Sequence, residues 1–493
     1  MRSLAAVGLV SLLVSCSLLA PATMPDRIAW NDYSPFARGL VNPLEILGHP
    51  FLRNAPVYHL TLRLDEDLTA LDGEVAVRYT NTGRSAIDSL DFALLPNIAP
   101  GSMTVADIRE NGEPAESELR GGEIAVRVRF RRPLEPHERA VVSMRYHLRL
   151  PASPVVGFGG LLSWRGELSL GYAYPMIPAS GLWDWGKPPA WGDLTANPVS
   201  FYLVEMSYPE RLTLAAPGVT LAKRSAGGRT HLLLAFGPAR DLFLALGKDL
   251  KMEEVRRGVT TIRSYAPEGL SAASPAILDE AARSLALYDN HYGPYPYRTL
   301  SFVSALFDAE GLEFPGMIVL TSWLYDDPQR SVDGSKVGIA LELTVAHETA
   351  HQWFYALVGN NQLTEPWIDE SLAQYSMWLY WRAHHGPERA ERLLRSLGWD
   401  ARSVGSELPI GRAVAAYTPR QYEGTIYGRG PLFLMALVDR MGKTDFDGFL
   451  RRLSAEYRWR VVTGADLRRT AERACACDLD DLWKEWVIGP VGN

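Results

Sequence analysis

The chain has 493 residues, 47% of them hydrophobic and 22% charged, with a net charge of −7. That length supports two or three domains around a large core, and the composition is that of an ordinary globular protein. Acids and bases are mixed along the chain and no basic run occurs, which excludes a nucleic-acid footprint.

The amino terminus is a short positive start, Met1-Arg2, followed by the apolar run Leu4 to Val14. Such a run is too short to span a hydrocarbon core of ~30 Å and has the layout of an export signal. It ends in Leu13-Val14-Ser15-Cys16, which resembles the lipobox of bacterial lipoproteins. The resemblance implies a signal peptide over residues 1–16, lipid on the Cys16 thiol, and a place in the bacterial cell envelope, anchored to a membrane. The alternatives are an ordinary signal peptide cut near Ala22 and an uncleaved anchor over residues 4–20. Residues 17–54 carry Pro21, Pro25, Pro35, Pro43 and Pro50 with little periodicity and read as a tether.

From Tyr58 the pattern has period two. Tyr58, Leu60, Leu62 and Leu64 alternate with polar residues, and Val75, Val77 and Tyr79 do so after a turn expected at Asp72-Gly73. Ile124 to Phe130 and Val142 to Leu150 repeat the pattern, and further strands are expected at Phe201–Tyr208, His231–Phe236 and Asp241–Leu246. Alternation broken by turn residues signals half-buried antiparallel strands, so residues 55–250 are expected to form an all-β domain of the sandwich or saddle kind. Within it, residues 171–192 are irregular and aromatic, and fit either a packed surface loop or a wall of a binding cleft.

Residues 251–493 are expected to form a second, mixed domain. Ile277, Ala281, Leu285 and Tyr288 recur at helical spacing, and Leu300–Leu306 and Met317–Leu320 read as strands. A helix is expected over residues 337–357, and it contains His347-Glu348-Thr349-Ala350-His351. Histidines four apart on a helix sit about one turn, ~5.4 Å, apart on one face, where one metal ion can take both imidazoles. Glu348 is then a candidate base for water. Catalytic zinc usually has three protein ligands, and Glu370, in the first turn of a helix started by Pro366, is the candidate third. Cys475 and Cys477 lie two apart, where a bridge is strained, and are expected as small unpaired residues on a helix.

The stretch 346–353 together with Trp367-Ile368-Asp369-Glu370-Ser371-Leu372-Ala373 resembles the gluzincin aminopeptidases of the aminopeptidase N and leukotriene-hydrolase type. The resemblance implies an α+β thermolysin-like metalloprotease domain following the β domain. It implies one zinc per chain held by His347, His351 and Glu370, with Glu348 as catalytic base. Tyr427-Gly428-Arg429-Gly430 resembles the family's Tyr-x-Lys-Gly, which implies Tyr427 as oxyanion donor. Gly311-Leu312-Glu313 resembles the family's Gly-x-Met-Glu strand, which implies that Gly311 and Glu313 bind substrate and that Glu313 holds its α-amine. Glu310 stands where the family has glycine. The family's second amine-binding carboxylate comes from the β domain, and Glu167 is the nearest candidate by position.

Many members carry a helical carboxy-terminal domain over the cleft. None follows Val487 here, so a more open cleft, or one closed by a partner chain, is expected. The expected function is removal of the amino-terminal residue from peptides. The alternatives are a zinc endopeptidase of the same fold and a catalytically silent cell-surface binding protein.

Overall fold

The computed structural model describes residues 28–98, 102–152, 160–178, 191–193, 195–307, 309–326, 339–403 and 408–489. The leader and lipobox of residues 1–16 lie outside the described residues. Among those described, no helix is long and apolar enough to cross a membrane.

The first half of the chain is built of sheets. The largest has eight strands, in the order Val219–Ala226, Arg229–Ala239, Ser200–Pro209, Val57–Leu64, Ala70–Thr80, Arg139–Arg149, Ser102–Glu110 and Glu113–Pro114. Three-stranded and four-stranded sheets accompany it. The period-two pattern has its expected result: Ala140, Val142, Met144, Tyr146 and Leu148 are buried while Arg145, His147 and Arg149 face water.

Two local expectations need correction. Asp72-Gly73 is no turn but lies inside the strand Ala70–Thr80, with Gly73 opposite Tyr146. A Cβ at Gly73 would lie 2.2 Å from the Tyr146 ring, so the glycine makes room for an aromatic side chain crossing the strand. Of the strand expected at Asp241–Leu246, only Ala245–Gly247 pairs in a sheet. Asp241 is instead drawn into a buried polar contact with Tyr355.

The second half holds a five-stranded sheet in the order Leu250–Arg257, Thr260–Pro267, Thr299–Ala305, Met317–Thr321 and Gly311–Phe314. The three central strands are parallel and the two edges antiparallel. The helix Ser274–Tyr292 makes the crossover between the first two parallel strands, burying Ile277, Ala281, Leu285 and Tyr288. Helices dominate from Ile339 onward.

The motif helix is shorter than expected. It runs Ile339–Ala350, and His351 follows it directly. There the backbone tightens: Gln352 N–H donates to Thr349 O, and Trp353 N–H to Ala350 O at 2.9 Å. Two side-chain bonds go with this turn, from the Trp353 indole to Gly293 O (2.8 Å) and between His351 Nδ1 and Phe354 O (2.9 Å).

Cys475 and Cys477 are joined by a disulfide, contrary to the unpaired state expected. The helix Gly464–Cys475 ends there, and Ala476 adopts a left-handed conformation (φ +50°) that turns the chain back. This brings the two Cα atoms to 5.2 Å, inside the range a bridge requires.

Residues 28–54 are not a tether. They form the short helices Ser34–Ala37 and Glu45–Gly48 and a 3-10 turn, Pro50–Asn54. Phe36, Leu40, Ile46 and Leu52 are buried. Leu40 bridges to Tyr297, and the Glu45 carboxylate accepts from Arg458 and from the Trp459 indole. Pro35 and Pro50, two of the prolines that suggested a loose linker, sit in the first turns of these short helices, where a missing N–H costs nothing. Leu40→Ala and Leu52→Ala, each at a fully buried position, are expected to lower stability by about 2–5 kcal/mol. Denaturant unfolding checks this, since a tether would leave the midpoint unchanged.

Candidate metal centre

Three segments converge on one buried point. The motif helix supplies His347 and Glu348, the turn after it supplies His351, and the helix Trp367–His385 supplies Glu370 in its first turn. Pro366 caps that helix, so Glu370 sits at its positive end, where a carboxylate is favoured.

The His347 and His351 Nε2 atoms are 3.0 Å apart. Glu370 Oε2 lies 3.3 Å from the first and 3.5 Å from the second. Glu370 Oε1 accepts from the Tyr427 hydroxyl at 2.7 Å, while Oε2 is buried without a hydrogen-bond partner. Burial acts to raise the Glu370 pKa, but the imidazoles of His347 and His351 beside it outweigh that and hold the carboxyl below its usual range. The His351 Nδ1 contact with Phe354 O puts the ring proton on that nitrogen and leaves the Nε2 lone pair facing the other two donors. Two imidazole nitrogens and an orphaned carboxylate oxygen within 4.8 Å of one another fit a zinc ion. Magnesium and calcium prefer all-oxygen shells.

Glu348 is also buried, and its Oε2 has no hydrogen-bond partner. Burial pushes its carboxyl well up from the ordinary value, against the pull of His351. Gly311, on the edge strand Gly311–Phe314, lies against it: a Cβ there would sit 2.3 Å from Glu348 Oε1. Glu310, in the glycine position, turns its carboxylate to Thr344 Oγ1 at 2.9 Å, one helical turn before Glu348. Tyr427 lies in a π-helical turn, Glu423–Arg429, that runs straight into the helix Gly430–Met441. Its ring is 6.2 Å from that of His347. A Cβ at Gly430 would lie 2.0 Å from Ser371 Oγ, so this glycine lets the turn approach the Glu370 helix.

Glu313, two residues after Gly311, is buried and accepts from Gln362 Nε2 at 2.9 Å. The same nitrogen donates to Asp369 Oδ2 at 2.9 Å, and Asn360 Nδ2 donates to Asp369 Oδ1 at 2.7 Å. Gln362 Oε1 in turn accepts from Thr195 of the β half, whose hydroxyl is 3.1 Å from that of Tyr355. Gln362, Asp369 and Thr195 thus belong to the site, although none carries a sequence signal beyond Asp369 being next to Glu370.

Glu167 does not join this group. It is half-buried on the strand Glu167–Leu170 and lines a separate small cavity with Leu162 and Trp164. The carboxylate that the β half brings to the centre is Asp193. Burial pushes its pKa well up, and the carboxyls of Glu313, Glu370 and Asp369 nearby push it further. Of the aromatic stretch 171–192, Tyr174 packs in the β core against Tyr58 and Tyr202, while Tyr172 lies 5.3 Å from the Phe314 ring. Residues 179–190 lie outside the described residues.

Residues 276–486 match the family model Peptidase family M1 domain. Aminopeptidase M1-B of Oryza sativa is 25% identical over 237 residues, covering 46% of this chain and 27% of that protein. Aminopeptidase M1-D of the same plant is 34% identical over 247 residues (47% and 28%), and probable aminopeptidase 2 of Sulfurisphaera tokodaii 24% over 261 residues (50% and 32%). The matched stretch therefore spans about a third or less of these relatives' length. The crystal structure of an M1 zinc metallopeptidase from Deinococcus radiodurans superimposes with a TM-score of 0.67 at 20% identity, covering 90% of this chain and 97% of that one, and so shares the fold.

Gly311→Ala tests the packing of the centre. The added methyl must displace the Glu348 carboxylate, and a shift of about 1 Å at a reacting group costs on the order of 10²-fold in turnover. Zinc content by elemental analysis is expected to stay at one per chain while kcat falls.

Proposed function

We propose that this chain, whose residues 276–486 match the Peptidase family M1 domain model, is a gluzincin of the aminopeptidase N type, a zinc-dependent aminopeptidase that removes amino-terminal residues from peptides. His347, His351 and Glu370 would hold the metal. A zinc ion there supplies Lewis acidity, polarising the scissile carbonyl and making water a better nucleophile near neutral pH.

The chain's own groups do the rest. Glu348, buried and with a free oxygen, takes the proton of the attacking water and delivers it to the leaving amine. The Tyr427 hydroxyl is the donor for the developing oxyanion, a role whose loss costs about 2.7–4 kcal/mol of transition-state stabilisation. Glu313 receives the substrate's cationic α-amine.

The observation that carries the exopeptidase reading is the closeness of Glu313 to the metal ligands. A Glu313 carboxylate oxygen, a His351 ring nitrogen and an Asp369 oxygen all lie within 4.8 Å of one another. An amine held by Glu313 therefore leaves room for one residue before the bond being cut. An endopeptidase is the second reading, favoured by Glu310 in the glycine position beside the cleft strand.

An amine–carboxylate contact contributes about 1.5–3 kcal/mol, and a blocked amine would leave Glu313 buried without its partner. The same peptide in free and N-acetylated form is expected to be cut at its first bond only when free, and Glu313→Ala to lose that preference. Equal cleavage of both forms at an internal bond by the unaltered enzyme would establish the endopeptidase.

We also propose export to the cell envelope through residues 1–16. Cys16→Ser is expected to move the protein from the membrane fraction to the soluble one, or to leave it unprocessed, with peptidase activity intact. A mature terminus near Ala22 in mass spectra would replace the lipobox with an ordinary signal peptide.

A further inference from the structure

A groove of about 520 Å³ opens between the eight-stranded sheet and the five-stranded sheet. Arg38, Lys223, Arg256, Arg263 and Arg298 line it, and no aspartate or glutamate does. This lining is the reverse of the chain's net charge of −7. Arg263 pairs with Glu254 on the rim at 3.0 Å. Among the described residues, the other four cations make no ion pair, and Arg256 Nε donates only to the nearby Gly258 O.

The backbone holds these cations together. Arg298 N–H donates to Gly39 O at 2.9 Å, next to Arg38, and Arg298 O accepts from Thr261 N–H at 2.8 Å. Thr261 stands opposite Arg256 on one side and Thr299 on the other. Residues directly opposite on neighbouring strands share a face, so one row presents a guanidinium and two hydroxyls to the groove. Lys223 reaches it from the edge strand Val219–Ala226 of the larger sheet. Like charges lining one open groove repel one another, with salt and solvent screening part of that repulsion. An anion seated between them would remove that cost.

The groove is separate from the metal centre. It lies at the Leu250–Arg257 edge of the five-stranded sheet, and Gly311 and Glu313 lie on the opposite edge. Four strand spacings of ~4.8 Å put the two edges about 19 Å apart.

We propose that this groove is a binding site for a phosphate-type polyanion. Guanidinium groups match phosphate oxygens with paired N–H donors, and threonine hydroxyls add neutral donors. Four cations without carboxylate partners call for a ligand with more than one negative charge. A soluble polyphosphate and the phosphodiester headgroups of an anionic membrane both present this chemistry.

The test uses the full chain. Inorganic tripolyphosphate is titrated calorimetrically, and in parallel the protein is sedimented with phosphatidylglycerol or phosphatidylcholine vesicles. The double variant Lys223→Glu with Arg298→Glu is expected to bind at least tenfold more weakly. Arg395→Glu, on an exposed surface of the helix Pro387–Ser403, is expected to bind as the unaltered protein does, and all three to hydrolyse peptides equally. Binding of tripolyphosphate identifies a soluble ligand. Binding confined to phosphatidylglycerol vesicles, and lost in the double variant, identifies a headgroup. If the double reversal impairs folding, the single Arg38→Gln and Arg298→Gln variants carry the test, with melting temperature in the absence of ligand expected to be unchanged or raised. Absence of binding in both arms, or binding that the reversals leave unchanged, overturns the proposal.

Discussion

Glu370 is almost wholly removed from water, yet one of its oxygens has no hydrogen-bond donor. Glu348 beside it is in the same condition, and Glu313 and Asp369 are buried within a few ångströms. A buried carboxylate is stable only when neutral, paired or bound to a cation. Two imidazoles and a few amide donors are the partners the chain supplies, so the arrangement makes sense around a divalent metal. The helix N-terminus under Glu370, the His351–Phe354 bond and the Gln362 amide between Glu313 and Asp369 all serve that demand.

The β half takes part in the centre. Arg240 is buried and donates to Tyr355 O, Asn197 O and Arg460 O, tying both halves of the chain together. Next to it, Asp241 is pushed up to about 7, chiefly by burial, and accepts from the Tyr355 hydroxyl. From Tyr355 the hydrogen bonds continue through Thr195 and Gln362 to Glu313. A continuous buried polar chain therefore runs from the β half to the proposed amine-binding carboxylate. Such a network couples its members to one another, and Asp241 keeps one buried oxygen, Oδ1, without a partner. This gives the β half a structural reason to stand beside a candidate metal centre whose residues His347, His351 and Glu370 all lie in the other half.

Residues 28–54 show how composition misleads. Three prolines, Pro35, Pro43 and Pro50, and weak periodicity describe a linker equally well as a series of short helical turns. What separates them is whether Phe36, Leu40, Ile46 and Leu52 find apolar surface, and here the two halves of the chain provide it. Cys475 and Cys477 make the same point. A bridge across one residue requires that residue to turn back, and the left-handed Ala476 at a helix end does so.

The sequence by itself determined the elements whose signals are local and periodic: the alternating strands, the crossover helix and the pairing of His347 with His351. Spacing on one element is a short-range property, so it can be read without the fold. Gly311 and Glu313 were legible only through their likeness to a known strand. Their distance from His347 and His351 depends on the Gly311–Phe314 strand lying beside the motif helix. Tertiary structure alone decided that the β half delivers Asp193 and Thr195 rather than Glu167, that Gln362 bridges two carboxylates, and that five cations from separate segments face one groove. These are contacts between residues far apart in the chain. No pattern within a segment encodes them, because they arise only when burial of the apolar faces brings the segments together.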